Sequence, residues 1–154
     1  MGTLANILIA LVALEHVYFL VLEMFLWTRP AGLRAFAMTP KQAEATKVLA
    51  ANQGLYNGFL ALGLFWSLLH GAPEFAYQLK LFFLGCVFVA GLYGSVTVSR
   101  KILYIQAIPA VFALILVLLA GSAALAVTVA FANPYPESAD CCKPIAETAM
   151  LTTK

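Results

Sequence analysis

Long apolar runs separated by short polar stretches make up most of the chain. Four runs are long enough to cross a bilayer, because a hydrocarbon core of about 30 Å needs about 20 helical residues. They cover residues 4–27, 48–69, 75–98 and 102–131. Pro109 lies inside the fourth run and predicts a bend there. The pattern predicts an all-α fold, a polytopic membrane protein with a four-transmembrane-helix bundle over residues 1–132.

The C-terminal residues 133–154 have a different character. They contain three prolines and scattered polar residues, so they have little apolar surface to bury. We therefore predict a flexible polar tail, in which the roles of the neighbouring Cys141 and Cys142 are open. The first apolar run has no cationic segment before it and no cleavage site after it, so we expect a retained helix.

The composition agrees with a location in lipid. Hydrophobic residues make up 63% of the chain, charged residues only 10%, and the mean hydropathy is +0.93. Water-soluble domains do not have this composition. We therefore predict that the partner is the lipid bilayer and that nucleic acid is not bound. Helices this rich in small residues leave a homo-oligomer open.

The charges in the loops predict the orientation of the helices. Cytoplasmic loops of membrane proteins carry an excess of Lys and Arg. The loop at residues 28–47 has one acid, Glu44, and four basic residues, Arg29, Arg34, Lys41 and Lys47. The loop after the third run contains Arg100 and Lys101. We therefore predict a multi-pass protein of the cell or inner membrane with both termini outside.

The first apolar run contains three polar residues that are expensive to place in lipid. These are Glu15, His16 and Glu23, within the stretch LVALEHVYFLVLEMFLW. A charged side chain at the centre of a membrane helix costs about 2.5 to 3.5 kcal/mol. His16 and Glu23 are seven residues apart and share one helical face. We therefore treat the three as candidate functional residues.

Polar residues of the other runs are expected at a similar depth, in the cytoplasmic half of the membrane. They are Asn52, Gln53, Tyr56, Asn57, Tyr93 and Gln106. Lipid cannot satisfy their hydrogen bonds, so we expect them to face one another. Gly54 and Gly58 allow a neighbouring helix to approach the second run closely. The sequence therefore predicts a polar intramembrane pocket.

Two functions fit such a pocket. In the first, it binds a small amphipathic or lipid-like molecule, such as a lipid headgroup, a quinone or an isoprenoid alcohol, through its amides and phenols. In the second, His16 with Glu15 or Glu23 is the acid and base pair of an intramembrane isomerase, cyclase or epoxide-opening enzyme. The amides could instead serve only as contacts between helices.

The sequence identifies no cofactor and predicts no metal site. Neighbouring positions on a helix diverge by about 100°, so Glu15 and His16 point in different directions. Only His16 and Glu23 share a face, so a metal site on Glu15, His16 and Glu23 is a minor alternative. The ligand or substrate of the predicted pocket is therefore open.

Three sequence blocks carry a resemblance to a known family. They are LVALEHVYFLVLEMFLW, EATKVLAANQGLYNGFLALGL and LKLFFLGCVFVAGLYGSVTVSRKILYIQAIPA. Over residues 4–120 the chain resembles a family of small four-helix bacterial membrane proteins of unknown function. The resemblance implies the fold and the location, and it implies no activity.

A second resemblance concerns the stretch VLAANQGLYNGF. It is similar to the second-helix signature of the MAPEG family, four-helix membrane proteins of glutathione and eicosanoid metabolism. Asn52 matches the asparagine of that family. Leu55 stands where the family has Glu, and the Arg expected before Asn52 is absent. The likeness implies a glutathione-linked membrane enzyme, although the residues that would position glutathione are changed.

Overall fold

The computed structural model describes the backbone of residues 2–132 and the side chains of residues 2–122. Five α-helices follow one another: α1 (Gly2–Met24), α2 (Pro30–Ala35), α3 (Pro40–Leu69), α4 (Pro73–Thr97) and α5 (Ile108–Ala132). A π-helical segment, Leu103–Ala107, precedes α5. No strand occurs in this part of the chain, which confirms the all-α class. The predicted tail, with Cys141 and Cys142, lies outside the described residues.

Residues up to Ser122 form one compact unit. Three helical segments in it are long and apolar enough to cross a membrane: Gly2–Met24, Pro73–Thr97 and Leu103–Ser122. Many of their large apolar side chains face outward, as lipid-facing residues do in membrane proteins. The structure therefore agrees with a membrane location.

Helix α3 is the longest of the helices and the most polar of the long ones. Its 30 residues extend over about 45 Å. The polar stretch at its N-terminus and the three amides Asn52, Gln53 and Asn57 interrupt its apolar character. Helix α3 is therefore long enough to span a membrane, but it is not apolar enough to be identified as a spanning helix by composition, as α1 and α4 are.

The loop predicted at residues 28–47 is largely helical, which corrects the sequence prediction. It contains α2 and the first two turns of α3, and both helices begin with proline. Proline suits the first helical position because its missing N–H has no partner there. At α3, Gln42 N donates to Thr39 Oγ1 over 3.3 Å, and Thr39 N donates to Gln42 Oε1 over 2.9 Å. This capping box starts α3 eight residues before the predicted run.

Trp27 connects the end of α1 to the segments that follow it. Its ring packs against Phe36, with 4.7 Å between the ring centroids. Its indole Nε1 donates to Thr46 Oγ1 over 3.1 Å. One side chain therefore holds the end of α1, the residue after α2 and the second turn of α3 together.

One hydrophobic core joins the four long helices. Its buried residues come from α1 (Ala5, Ile9, Val12, Ala13), α3 (Leu64), α4 (Leu84, Val87) and α5 (Ala110, Ala113, Val117). Several of them are alanines, which let the helix axes approach closely. Helix α1 packs most extensively against α3.

The helix changes its geometry immediately before Pro109. Proline cannot donate a hydrogen bond to the carbonyl four residues earlier, that of Ile105. In the structure, Ile108 N donates to Leu103 O, five residues back, which closes a π-helical turn. A bend was expected at Pro109, and the structure shows a widened π-helical turn at residues 103–107 immediately before it.

Gly91 of α4 provides the closest helix contact of this region and allows a test of the packing. A Cβ at Gly91 would lie 2.8 Å from Ala107 N and 3.1 Å from Ala107 Cα. We expect Gly91→Ala to lower the thermal midpoint in detergent, with a destabilisation of about 1 to 3 kcal/mol from overpacking. Gly85→Ala is the matched control, because nothing lies within 4 Å of a Cβ there. Equal midpoints for the two variants would contradict the packing.

Candidate functional site

A hydrogen bond between a carboxyl and an amide connects the end of α1 to α3. Asn57 Nδ2 donates to Glu23 Oε2 over 2.7 Å, and Glu23 is only 5% exposed. The helices can approach here because Gly54 has no side chain. A Cβ on it would lie 3.1 Å from both Glu23 Cβ and Met24 N. A buried carboxyl is thereby positioned by an amide on a facing helix.

Two further polar atoms of α1 are buried without a partner. His16 is fully buried, and its Nδ1 donates to Val12 O over 2.8 Å. In the neutral ring this leaves Nε2 as an acceptor. Nε2 of His16 and Oε1 of Glu15 have no hydrogen-bond partner within residues 2–122. Both atoms can accept a hydrogen bond from a ligand or from water.

The remaining predicted site residues do not converge on Glu23, which corrects the sequence analysis. Tyr56 and Tyr93 are 57% and 71% exposed, and Asn52 and Gln53 are also exposed. Asn52 is five positions before Asn57, about 140° around the helix, so it faces a different side from Asn57. Gln53 is four positions before Asn57 and on the same side, but it is exposed one turn nearer the start of α3.

Gln106 has a local role. Its Nε2 donates to Val87 O over 3.4 Å, so it joins the π-helical segment to α4. This long hydrogen bond gives one of the carbonyls of α4 a second donor. Gln106 therefore has a partner away from Glu23.

An open groove of about 400 Å³ lies between the end of α1 and the N-terminal half of α3. We call it the α1/α3 groove. Its lining residues from the α1 end are Glu23, Met24, Phe25, Trp27 and Thr28, and those from α3 are Lys47, Val48 and Ala51. The wall is mainly apolar and aromatic, with a carboxyl and an ammonium group. This combination suits a molecule with one polar end.

The two charged groups of the groove have different partners. Lys47 forms a salt bridge with Glu44, one turn earlier on α3. Glu23 uses Oε2 for Asn57, whereas its Oε1 has no hydrogen-bond partner within residues 2–122 and is not among the buried unpartnered atoms. Oε1 is therefore the atom of Glu23 that can meet a ligand in the groove.

Sequence reasoning missed most of the groove. Of the residues that line the groove, only Glu23 was a predicted site residue, because the prediction rested on polar residues deep in the apolar runs. Trp27 and Lys47 carried a signal, since Trp and Lys near helix ends mark the membrane interface. A second missed contact joins α4 to α1, where Lys80 Nζ donates to Asn6 Oδ1 over 2.8 Å.

Comparisons with known proteins agree on a family. Residues 10–118 match the model of a family described as "Protein of unknown function (DUF1304)". The chain is 37% identical over 117 residues to the uncharacterized protein YpaA of Lactococcus lactis subsp. lactis (strain IL1403). The match covers 75% of this chain and 97% of that protein. No solved structure matches the chain.

These matches confirm the resemblance to a family of unknown function. The resemblance to the MAPEG family has no support in them. The site must therefore be interpreted from its own geometry.

The contact between Glu23 and Asn57 can be tested by stability. Asn57→Ala leaves Glu23 Oε2 without its donor, and we expect a destabilisation of about 1 to 3 kcal/mol. The measurement is the thermal midpoint in detergent. Asn52→Ala removes an exposed amide of the same helix, and its effect should stay within about 0.5 kcal/mol. A smaller effect for Asn57→Ala than for Asn52→Ala would contradict this role of Asn57.

Proposed function

We infer that this chain, which belongs to the DUF1304 family of proteins of unknown function, binds a small amphipathic molecule in the α1/α3 groove. The proposal needs no chemical reaction. The molecule would enter from the lipid, place its polar end at Glu23, and lay its apolar part along the aromatic and aliphatic wall.

One observation carries the proposal: the buried carboxyl of Glu23 forms part of the wall of an open, mainly apolar groove. A carboxyl in a membrane helix is costly, and contacts between helices can be built without one. Asn57 fixes one oxygen of Glu23 and leaves the other unpaired. Such an arrangement is typical of binding sites, where a few positioned polar groups lie in an apolar wall.

We further propose that α3 is a fourth spanning helix beside α1, α4 and α5. Its C-terminal part contributes to the shared core, and its amides face either α1 or the outer surface. The basic residues at 28–47 and at Arg100 and Lys101 favour the cytoplasmic side for both loops. In this arrangement the α1/α3 groove lies in the cytoplasmic half, with both termini outside.

A second candidate function, an intramembrane acid and base enzyme, is favoured by the unpartnered atoms of Glu15 and His16. His16 Nε2 could accept a proton from one carbon of an apolar substrate while a protonated carboxyl donates its own proton to another carbon, and proton transfer from the imidazolium to the carboxylate would then restore both groups. The groove lining includes neither residue, so binding remains the first proposal. The two functions differ in whether a bound compound is recovered unchanged.

Blocking the groove tests the binding proposal. Ala51→Phe adds an aromatic ring to the groove wall, and Val89→Phe is the control because Val89 is exposed on α4, away from the groove. We expect native mass spectrometry in mild detergent to find a specific small molecule on the unmodified protein and on Val89→Phe. Ala51→Phe should lose it. Bulk phospholipid alone on all three proteins would contradict the proposal.

Cysteine labelling tests the proposed fourth span. In a background with Cys86, Cys141 and Cys142 replaced by Ser, a single Cys is introduced at Thr39 or at Gly71, the two sides of α3. We expect a membrane-impermeant maleimide to label Gly71→Cys in intact cells. Thr39→Cys should react only after permeabilisation. Labelling of both positions from the same side would show that α3 does not span.

A further inference from the structure

We propose that the polar end of the ligand is a protonated amine, so that the α1/α3 groove binds alkylammonium amphiphiles. This inference rests on the proposed function and names the ligand class of the same groove. It follows from the charges, the free hydrogen-bonding atoms and the aromatic rings of the wall.

One carboxyl oxygen in the groove wall is free to bind a ligand. Glu23 is the acidic residue of the groove lining; its Oε2 accepts from Asn57, and its Oε1 has no partner among the side chains that the structure describes. The ionised carboxyl accepts hydrogen bonds and donates none, and a cation that reaches Glu23 favours this ionised form. The complementary group on a ligand is therefore a hydrogen-bond donor.

The two charged groups of the groove wall differ in whether an opposite charge is paired with them. Lys47 is the basic residue of the lining, and its ammonium group is paired with Glu44 outside the groove wall. The carboxyl of Glu23 is hydrogen-bonded to a neutral amide and forms no salt bridge within the described residues. A buried charge is stabilised when a partner of opposite charge reaches it. An ammonium group satisfies both the donor requirement and the charge.

The rest of the groove wall is aromatic and aliphatic. Trp27 and Phe25 line the groove near Glu23, and aromatic faces attract cations. The hydrogen bond from Trp27 to Thr46 and its packing on Phe36 hold this ring in place. Met24, Val48 and Ala51 supply aliphatic surface for an alkyl chain. An anionic headgroup would instead meet the Glu23 carboxyl and be repelled.

The test compares three amphiphiles that share a twelve-carbon chain: dodecylamine, dodecanol and dodecyl sulfate. The protein carries Trp66→Phe, so that its fluorescence reports on Trp27 alone. It is reconstituted in phosphatidylcholine nanodiscs at pH 7, and empty nanodiscs give the partition background. We expect a saturable change of Trp27 fluorescence with dodecylamine, at a Kd about tenfold or more below those of the other two.

Two variants locate the effect. Glu23→Gln should remove the preference for the amine, and Glu74→Gln, an exposed acid of α4 outside the groove lining, should keep it. If Glu23→Gln fails to fold, the comparison of the three amphiphiles on the unmodified site still decides the ligand class. Dodecanol or dodecyl sulfate binding as tightly as dodecylamine would overturn the proposal.

The proposed function and this inference fail in different ways. Equal saturable binding of all three amphiphiles, abolished by Ala51→Phe, would retain the binding groove and reject the amine. Saturable binding of none of them would reject both. A preference for the amine that persists in Glu23→Gln would reject Glu23 as its partner.

Discussion

The close approach of α1 and α3 is the constraint on which the rest of the structure depends. Gly54 lets α3 lie against the backbone of α1, and this proximity brings Asn57 within 2.7 Å of Glu23. A side chain at Gly54 would come within 2.6 Å of Met24 Cγ and 3.1 Å of Glu23 Cβ and Met24 N, so it would push α3 away from α1 and strain the hydrogen bond from Asn57 to Glu23. The groove depends on the same contact, because its two walls are the end of α1 and the first half of α3.

Apolar run length was a good guide to the helices and a poor guide to where they begin. It predicted α1 and α4 closely, because both are apolar along nearly their whole length. It missed the start of α3, since the first two turns are polar and their helical state depends on Pro40 and the Thr39 capping box. The capping box is visible in the sequence as Thr-Pro-Lys-Gln, so this error came from relying on hydropathy alone.

The candidate site was harder to predict, because the depth of a residue along a helix does not tell on which side of the helix its side chain lies. Glu23 and Asn57 were expected to face each other, and a hydrogen bond joins them in the structure. Tyr93 was expected to face the same pocket, but its side chain is exposed. No pattern of residues in α4 indicated on which side of the helix it lies. The groove lining could not be inferred from polar residues, because most of it is apolar and its shape arises only when two helices pack.

The π-helical segment at Leu103–Ala107 changes how the fourth apolar run must be interpreted. A π turn accommodates one residue more than an α turn, so the positions on either side of it are out of phase by about 100°. A single helical wheel drawn through the whole run therefore mixes two different faces. Ala107 lies against Gly91 at this change of phase, and Ala110, Ala113 and Val117 continue the buried face beyond it. Deleting one residue between 103 and 107 would therefore convert the segment into a regular α-helical turn and leave the faces on either side of it in place.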